Sequence, residues 1–246
     1  MNQSHLKQKK RIVVTGGSSG IGLGIVKRLL SEGEIVHVFG RRSPEQWGSI
    51  AGELAEKVAY HSVDLADMPR ARAALSQAVD ELGGVDVLIN SAGIMKFENG
   101  HEATEEGVRS QIAVNLEAPI HLSAVAIKSM LLQETGGHIL NIASVAGLKA
   151  TPKLAVYGAT KAALIQYTRS LAAEYASRRI RANVICPGAI PTGLASRITF
   201  AFIQKAIPLG QLQKEDEVAS LASWLISDEA RNVTGSVYSL DGGMSL

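Results

Sequence analysis

The stretch that most constrains the fold of this chain is a strand–turn–helix pattern at residues 11–33, RIVVTGGSSGIGLGIVKRLLSEG. An apolar, β-branched run leads into a glycine cluster, and apolar side chains then recur at helical spacing at Ile21, Ile25 and Leu29. Glycines let the backbone turn tightly and approach a bound group, while a helix N-terminus offers free N–H groups and a positive dipole end. The pattern therefore predicts a diphosphate-binding turn at the start of the first helix.

The alternation of strand and helix continues to the end of the chain. Six or seven such alternations occur without a long linker or an internal repeat, and 246 residues suit one large α/β domain. The sequence predicts a single domain over residues 1–246, a doubly wound parallel sheet (Rossmann fold) of about seven strands with helices on both faces. The later strands are predicted within residues 34–42, 58–65, 85–93, 136–147, 179–193 and 235–243.

One predicted helix is long and contains a proline. It begins near residue 104, where Thr104 is a suitable N-cap, and carries Asn115 near its middle. Pro119 follows within the same apolar-striped run. Because proline lacks an amide N–H and clashes with the preceding turn, the helix is expected to bend or break locally there.

The charge balance argues against a polyanionic partner. The chain carries 25 Lys and Arg against 23 Asp and Glu, so no strong field would draw it to nucleic acid or to an acidic membrane. The exception is a basic run at residues 7–11, which is interpreted as part of a solvated, flexible arm over residues 1–10. No metal site is predicted from the sequence.

The cysteine content bears on the compartment. Cys186 is the only cysteine, so no intrachain disulfide can form, and its apolar surroundings in ANVICPG predict a buried, inert thiol. No apolar signal core is recognised at the N-terminus, and no apolar run approaches membrane-spanning length. These features lead us to expect a cytoplasmic protein without a membrane partner.

Tyr157 and Lys161 are the strongest candidates for proton-transfer chemistry. Residues 158–176 have the composition of a helix, which would place two side chains four residues apart on one face. A free tyrosine titrates near pH ~10, and a cation beside its hydroxyl would stabilise the phenolate. Ser144, just past the fifth strand, and Asn115 are expected to join this pair.

The end of the second strand indicates which dinucleotide binds. NAD sites usually place an acidic residue there to hold the ribose 2′-hydroxyl, whereas an arginine accommodates a 2′-phosphate. Here Gly40 is followed by Arg41 and Arg42, which favours NADP(H) while leaving NAD(H) possible. Asp64 ends the third strand at the carboxyl edge, where open α/β sheets bind ligands.

Taken together, these motifs resemble the short-chain dehydrogenases/reductases, in their single-domain branch. The resemblance covers nearly the whole chain. At residues 90–93 the chain reads Asn-Ser-Ala-Gly where the family usually has Asn-Asn-Ala-Gly, a departure that keeps the Ala-Gly pair. The motifs that carry the resemblance are TGGSSGIG (15–22), VDL (63–65), NSAG (90–93), YGATK (157–161), PGAIPT (187–192) and LDGG (240–243), together with Asn115 and Ser144.

The resemblance implies a catalytic tetrad. Tyr157 would exchange a proton with the substrate oxygen, and Ser144 would hydrogen-bond that oxygen. Lys161 would bind the nicotinamide ribose and support Tyr157, and Asn115 would anchor a water in a proton relay. The resemblance also implies a homotetramer. The residues expected at the cofactor, from the residues or from the resemblance, are Gly16, Ser18, Ser19, Gly20, Ile21, Gly22, Arg41, Arg42, Asp64, Leu65, Asn90, Ala92, Gly93, Tyr157, Lys161, Pro187, Gly188, Ile190 and Thr192.

The substrate is less constrained than the reaction. The favoured reading is a small-molecule carbonyl or secondary alcohol, apolar or mixed, alicyclic or steroid-like. Reduction of 3-oxoacyl groups on an acyl-carrier protein is an alternative, as is a catalytically silent dinucleotide-binding regulator. Residues 193–213 are expected to form a substrate-binding loop that closes over the ligand. The expected pocket residues are Ile94, Met95, Lys96, Phe97, Val145, Ala146, Gly147, Leu194, Ile198, Phe200 and Phe202.

Overall fold

A seven-stranded parallel sheet forms the centre of the molecule in a computed structural model that describes residues 9–191 and 204–246. The strand order is β3-β2-β1-β4-β5-β6-β7, so the predicted doubly wound fold is confirmed. The strands are β1 (Arg11–Thr15), β2 (Ile35–Gly40), β3 (Ala59–Ser62), β4 (Val87–Asn90), β5 (Gly137–Ile142), β6 (Ile180–Pro187) and β7 (Val237–Leu240).

Helices cover both faces of this sheet. One buried cluster joins the sheet to the third, fifth and sixth helices, and a second joins it to the first and seventh. Both faces are therefore apolar, as a parallel sheet requires. The α-helices that lie wholly within the described residues are α1 (Gly20–Ser31), α2 (Pro44–Ala51), α3 (Met68–Leu82), α4 (Glu105–Ile112), α5 (Ala118–Met130), α6 (Ala155–Tyr175) and α7 (Glu215–Ile226).

The strand order creates a crevice between β1 and β4. After β1 the chain builds β2 and β3 on one side, and then crosses to the other side to build β4 to β7. The loops that leave the carboxyl ends of β1 and β4 consequently diverge. Ligands of open α/β sheets bind at such a switch point, and the predicted site residues cluster around it.

The long predicted helix is interrupted where the proline predicts a break. A π-helical turn, Ala113–Glu117, separates α4 from α5, and the Ala118 amide donates to the Ala113 carbonyl five residues back. Pro119 sits in the first turn of α5 and has no N–H to offer the Asn115 carbonyl four residues earlier. Thr104 caps α4 as expected, because its hydroxyl accepts from the Gly107 amide at 3.1 Å.

The predicted amino-terminal arm, residues 1–10, extends too far along the chain. Residues 1–8 lie outside the described residues, but Lys10 and Arg11 are not a solvated arm. The Lys10 amide donates to a Glu34 carboxylate oxygen at 2.6 Å, and Arg11 opens β1 with a 2.6 Å ion pair to Asp86. The hydrogen bonds with Arg11 and its charge lower the pKa of Asp86 despite the opposing effect of its burial.

Of the expected substrate-binding loop, residues 193–203 lie outside the described residues. The remainder, 204–213, packs on the end of the sheet: Ile207 is buried, and the Leu209 amide donates to the Gly242 carbonyl at 3.0 Å. The Gln213 side chain accepts from the Gly188 amide at 2.6 Å. Within the described parts of the chain, none of the helices has the length and hydrophobicity needed to cross a bilayer.

Candidate active site

The glycine-rich turn between β1 and α1 is packed so closely that it excludes side chains. Gly16 has φ +67°, and a Cβ placed there would lie 2.7 Å from the Ala92 Cα. A Cβ on Gly22 would collide with the Gly16 carbonyl oxygen. The Ser19 side chain does not cap α1, which leaves the first-turn amides available to an anion. The turn therefore fits the diphosphate of a dinucleotide.

The end of β2 has no room for an acidic side chain. A Cβ on Gly40 would lie 2.6 Å from the Ser18 hydroxyl oxygen and 2.7 Å from that of Tyr60. The Arg42 guanidinium donates to the Ser18 carbonyl at 3.0 Å and to its hydroxyl at 3.1 Å, which ties it to the glycine turn. Arg41 is exposed at the same edge.

Among the predicted cofactor residues, Leu65 and Asn90 have buried side chains, whereas Asp64 is exposed. Asp64 lies two residues beyond β3, is exposed, and accepts from the Ala66 amide at 3.0 Å. Leu65 is buried in the core. The Asn90 amide donates to Asn141 at 2.8 Å within the interior. Because the side chains of Leu65 and Asn90 are engaged in the interior, only their main-chain atoms are available to contact the cofactor as predicted.

The loop after β4 is fixed by side chains that contact its backbone. The Thr15 hydroxyl accepts from the Ser91 and Ala92 amides, each at 3.2 Å. Farther along, the Asn115 carboxamide accepts from the Ile94 amide and donates to the Ile94 carbonyl, both at 2.8 Å. Asn115 also donates to the Thr160 hydroxyl at 3.2 Å. Its side chain thus positions the loop and links it to α6.

Gln111 has a parallel function that the sequence reasoning missed. It is fully buried one helical turn before Asn115, and its carbonyl oxygen accepts from the Lys96 amide at 3.3 Å. Its nitrogen donates back to the Gly107 carbonyl at 3.2 Å. The four-residue spacing between two amide side chains was the signal that could have identified it.

Ser144, Tyr157 and Lys161 come together at the carboxyl end of β5. Ser144 lies two residues past that strand and accepts from the Ala146 amide at 3.1 Å. Tyr157 lies in the first turn of α6, and the Lys161 amine is 5.7 Å from its ring centroid. The same amine donates to the Ile142 carbonyl at 2.9 Å. The helix thus places both side chains on one face, as predicted.

Burial dominates the protonation of this cluster. Lys161 is 3% exposed, and this desolvation lowers its pKa to about 8. Burial also raises the pKa of Tyr157, and hydrogen bonding with Ser144 acts in the opposite direction. From the sequence, the Lys161 cation was expected to lower the Tyr157 pKa. In the structure desolvation has the larger effect, because the phenolate would be formed in the interior.

Cys186 lies against the same cluster, a proximity that the sequence reasoning missed. It is fully buried in β6, and burial raises the pKa of its thiol to about 12 although the Lys161 charge and the Ser144 backbone lower it. The thiol therefore stays protonated at neutral pH. This agrees with the prediction of an inert cysteine.

The segment after β6 forms the far side of the crevice. Pro187 ends the strand and is buried, and the Gly188 amide donates to the Leu240 carbonyl at 2.9 Å. A Cβ on Gly188 would lie 2.9 Å from the Asp241 Cα, so a glycine fits best there. Ile190 is half-buried against the core on the α1 side of the sheet. Thr192 lies outside the described residues.

Comparison with known proteins identifies the family. Residues 16–245 match the family model described as "Enoyl-(Acyl carrier protein) reductase". A Serratia marcescens short-chain dehydrogenase/reductase mutant superposes with a TM-score of 0.88 at 31% identity, covering 98% of this chain and 100% of that one. The chain belongs to the short-chain dehydrogenase/reductase family. Its members are oxidoreductases that act on carbonyl or alcohol groups.

Other relatives in this family have varied names. A 3-oxoacyl-(acyl-carrier-protein) reductase FabG of Chlamydia muridarum is 34% identical over 96% of this chain and 97% of its own. A D-beta-hydroxybutyrate dehydrogenase of Cupriavidus necator is 33% identical over 95% and 97%. A 3-ketoacyl-(acyl-carrier-protein) reductase of Brucella melitensis, complexed with NADH, superposes with a TM-score of 0.89 at 30% identity over 96% and 98%. A nicotinamide dinucleotide is thus the cofactor class of this fold.

Proposed function

We propose that this protein is an NADP(H)-dependent oxidoreductase that interconverts a carbonyl compound and a secondary alcohol, with Tyr157 as general acid and base. The observation that carries the proposal is the convergence of Ser144, Tyr157 and Lys161 at the carboxyl end of β5. This cluster lies at the crevice that also contains the glycine turn. A proton donor and a dinucleotide cradle therefore share one opening.

Each residue has a role that its surroundings support. When bound, the nicotinamide ring supplies or accepts the hydride. The Tyr157 hydroxyl gives its proton to the substrate oxygen during reduction and removes it during oxidation. The Ser144 hydroxyl orients that oxygen and stabilises its developing charge. The raised pKa of Tyr157 keeps the phenol protonated before reduction.

Lys161 and Asn115 assist this proton transfer. The Lys161 amine lies beside the Tyr157 ring and would also hold the ribose hydroxyls of the cofactor. The side chain of Asn115 is engaged by Ile94 and Thr160, so its main-chain carbonyl is the group left to hold a water. Pro119 supports this assignment, because it cannot donate an amide hydrogen to that carbonyl.

The preference for NADP(H) is supported by sterics and charge together. The crowding at Gly40 excludes the acid that would bind a ribose 2′-hydroxyl, and Arg41 and Arg42 supply positive charge for a 2′-phosphate. A structural neighbour, the blue fluorescent protein from a metagenomic library, was solved with NADPH; it has a TM-score of 0.89 at 30% identity over 96% of this chain and 98% of that one. The Brucella neighbour was solved with NADH, so NAD(H) remains the second candidate.

An apolar or mixed ketone is our first substrate class. Met95 and Phe97 are 43% and 67% exposed on the loop that Asn115 and Gln111 hold at the crevice, and Val145 lies beside Ser144. The second candidate is a 3-oxoacyl thioester on a carrier protein, which the name of the Chlamydia relative favours. The third candidate is a dinucleotide-binding regulator that has lost the reaction, and the complete tetrad argues against it.

We further propose a homotetramer in the cytoplasm. The tetramer rests on the resemblance to the family, and gel filtration with light scattering would then give four times the 26.0 kDa of one chain. A single, buried, protonated thiol suits a reducing compartment.

The decisive experiment pairs cofactor titration with one active-site variant. Fluorescence titration should give tight NADPH binding and weaker NADH binding, and Arg41→Ala should weaken NADPH more than NADH. Tyr157→Phe should retain NADPH affinity. Its kcat on the ketone that the wild type reduces best should fall about 10²–10⁴-fold. Retained turnover would move the proton donor elsewhere. Higher kcat/KM on 3-oxoacyl thioesters than on cyclic ketones would favour the second candidate.

A further inference from the structure

Away from the catalytic crevice, two histidines and a glutamate converge at the outer edge of the sheet. His37 lies in β2 and His61 in β3, and the pairing of His37 with Ala59 and of Phe39 with His61 puts the two imidazoles on one face. The third helix covers that face and brings Glu81 from its last turn. Three residues that are distant in sequence are thus joined by the fold.

The ligand atoms of these residues are spaced for one small cation. His37 Nδ1 and His61 Nε2 are 3.0 Å apart, and Glu81 Oε2 is 3.7 Å and 3.8 Å from them. The point equidistant from the three atoms is therefore about 2.0 Å from each, which is the distance that zinc keeps from imidazole nitrogen and carboxylate oxygen. Small movements of the side chains would open a fourth position for water.

The glutamate is already oriented for this role. The Gln77 side chain, one helical turn before Glu81, donates to Glu81 Oε1 at 2.8 Å. This hydrogen bond holds the carboxylate so that Oε2 is the oxygen nearer the imidazoles. Such outer partners orient metal ligands in proteins.

The burial of the cluster suits a bound ion that enters from solvent. The two histidine side chains are 10% and 13% exposed, whereas that of Glu81 is 42% exposed. The exposed carboxylate provides the path inward.

We propose that His37, His61 and Glu81 form a binding site for a divalent transition-metal ion, with Zn²⁺ as the best fit to two imidazoles and one carboxylate. The ion would join β2, β3 and α3 through their side chains, where β2 and β3 already pair in the sheet and α3 packs against them. Because β2 ends three residues after His37, at Gly40, the ion would stiffen the edge of the sheet that carries Arg41 and Arg42. The site is structural and separate from the hydride chemistry.

The test uses the full-length, tag-free chain after removal of metal with a chelator. Calorimetric titration with ZnCl₂ should show one equivalent bound, and Co²⁺ should give the visible absorption of a four-coordinate nitrogen and oxygen site. Gln77→Ala, which removes only the outer partner, should lower the Zn²⁺ affinity about 10–100-fold, and Glu81→Gln, which removes a ligand, should lower it at least as much. Both residues are exposed, so the variants should fold. The matched control is Glu105→Gln, an exposed acid on α4 that should leave Zn²⁺ binding unchanged.

Two results would overturn the proposal. Absence of Zn²⁺ binding by the wild-type chain would leave the cluster as an imidazole–imidazole hydrogen bond beside a carboxylate. Equal Zn²⁺ affinity in wild type, Glu81→Gln and His61→Asn would place the ion at other residues. NADPH titration of the same variants provides a separate readout, since failure of the metal site would leave cofactor binding and turnover intact.

Discussion

At the scale of single residues, Lys161 brings a charge into the interior at a cost that depends on pH. Its pKa falls from 10.5 to about 8 in the folded chain. Between these values the unfolded chain binds more protons than the folded one, so the free energy of unfolding rises with pH over that window. Below pH 8 the full cost of burying the ammonium applies.

Lys161→Met should therefore stabilise the folded chain at pH 7, by an amount on the order of 3 kcal/mol. The gain relative to wild type should shrink towards pH 10, where the wild-type amine is largely neutral. Urea unfolding of both proteins at the two pH values measures the difference, and other titrating groups cancel in the comparison. A stability difference that stays constant between pH 7 and pH 10 would contradict the assigned cause.

Asn115 and Gln111 offer a matched pair of single-residue changes. Asn115→Ala leaves the amide and carbonyl of Ile94 without their partners and should cost about 1–3 kcal/mol of stability. It should also reduce kcat, because Asn115 links the loop after β4 to Thr160, the neighbour of Lys161 on α6. Gln111→Ala frees the Lys96 amide and should destabilise the chain with little effect on kcat. Urea unfolding and steady-state kinetics would test both, and equal losses of kcat would refute the distinction.

The sequence predicted the residues of the cluster better than their electrostatics. A four-residue spacing on a helix was enough to bring Tyr157 and Lys161 to one face. The predicted direction of the Tyr157 pKa shift was wrong. Desolvation depends on the residues that cover the hydroxyl and not on its neighbours in sequence. Thr160 gave no signal, since its contact with Asn115 spans 45 residues.

At the scale of elements, the glycine turn and α1 pack so closely that one added methyl group should change both stability and NADPH binding. Gly22→Ala should push α1 away from the Gly16 carbonyl, cost about 1–3 kcal/mol and weaken NADPH binding. Gly48→Ala in α2 is the matched control, because no atom lies within 4 Å of the added Cβ. It should stabilise the helix by about 0.5–1 kcal/mol. Thermal unfolding and NADPH titration distinguish the two; normal NADPH affinity in Gly22→Ala would exclude the proposed cradle.

Local patterns predicted the elements well where local physics decides them. The strands follow their β-branched runs, and the break before Pro119 follows from the missing amide hydrogen. The prediction of a solvated arm failed where the basic run meets β1: the Lys10 amide donates to Glu34, and the neighbouring Arg11 pairs with Asp86, 75 residues away. A run of like charges shows nothing of an ion pair that only the completed sheet creates.

At the scale of the whole molecule, cofactor binding should be visible as global stability. A ligand that binds only the folded chain at about 100 times its Kd contributes about 2.7 kcal/mol. For a domain of this size NADPH should therefore raise Tm by about 5–10 °C. NADH at the same concentration should raise it less. A differential scanning fluorimetry series over both dinucleotides measures this. An equal rise with NADH would contradict the proposed preference, and a larger rise with NADH would reverse it.

The order of strands was predictable as a class but not in its register. Doubly wound connectivity follows from alternating strands and helices, and the crevice between β1 and β4 follows from it. The registers of β2 and β3, which bring His37 and His61 together, depend on packing across the sheet. A site that relies on register could not be identified from the sequence.

Asn115 and Gln111 hold the loop after β4 through its peptide groups rather than through its side chains. On this loop, the Asn115 side chain hydrogen-bonds to the amide and carbonyl of residue 94, and the Gln111 side chain accepts from the amide of residue 96. Any amino acid except proline supplies these same atoms. The anchor of the loop is therefore independent of the side chains that the loop presents, so residues 94 and 96 can be exchanged for other amino acids without loss of these hydrogen bonds.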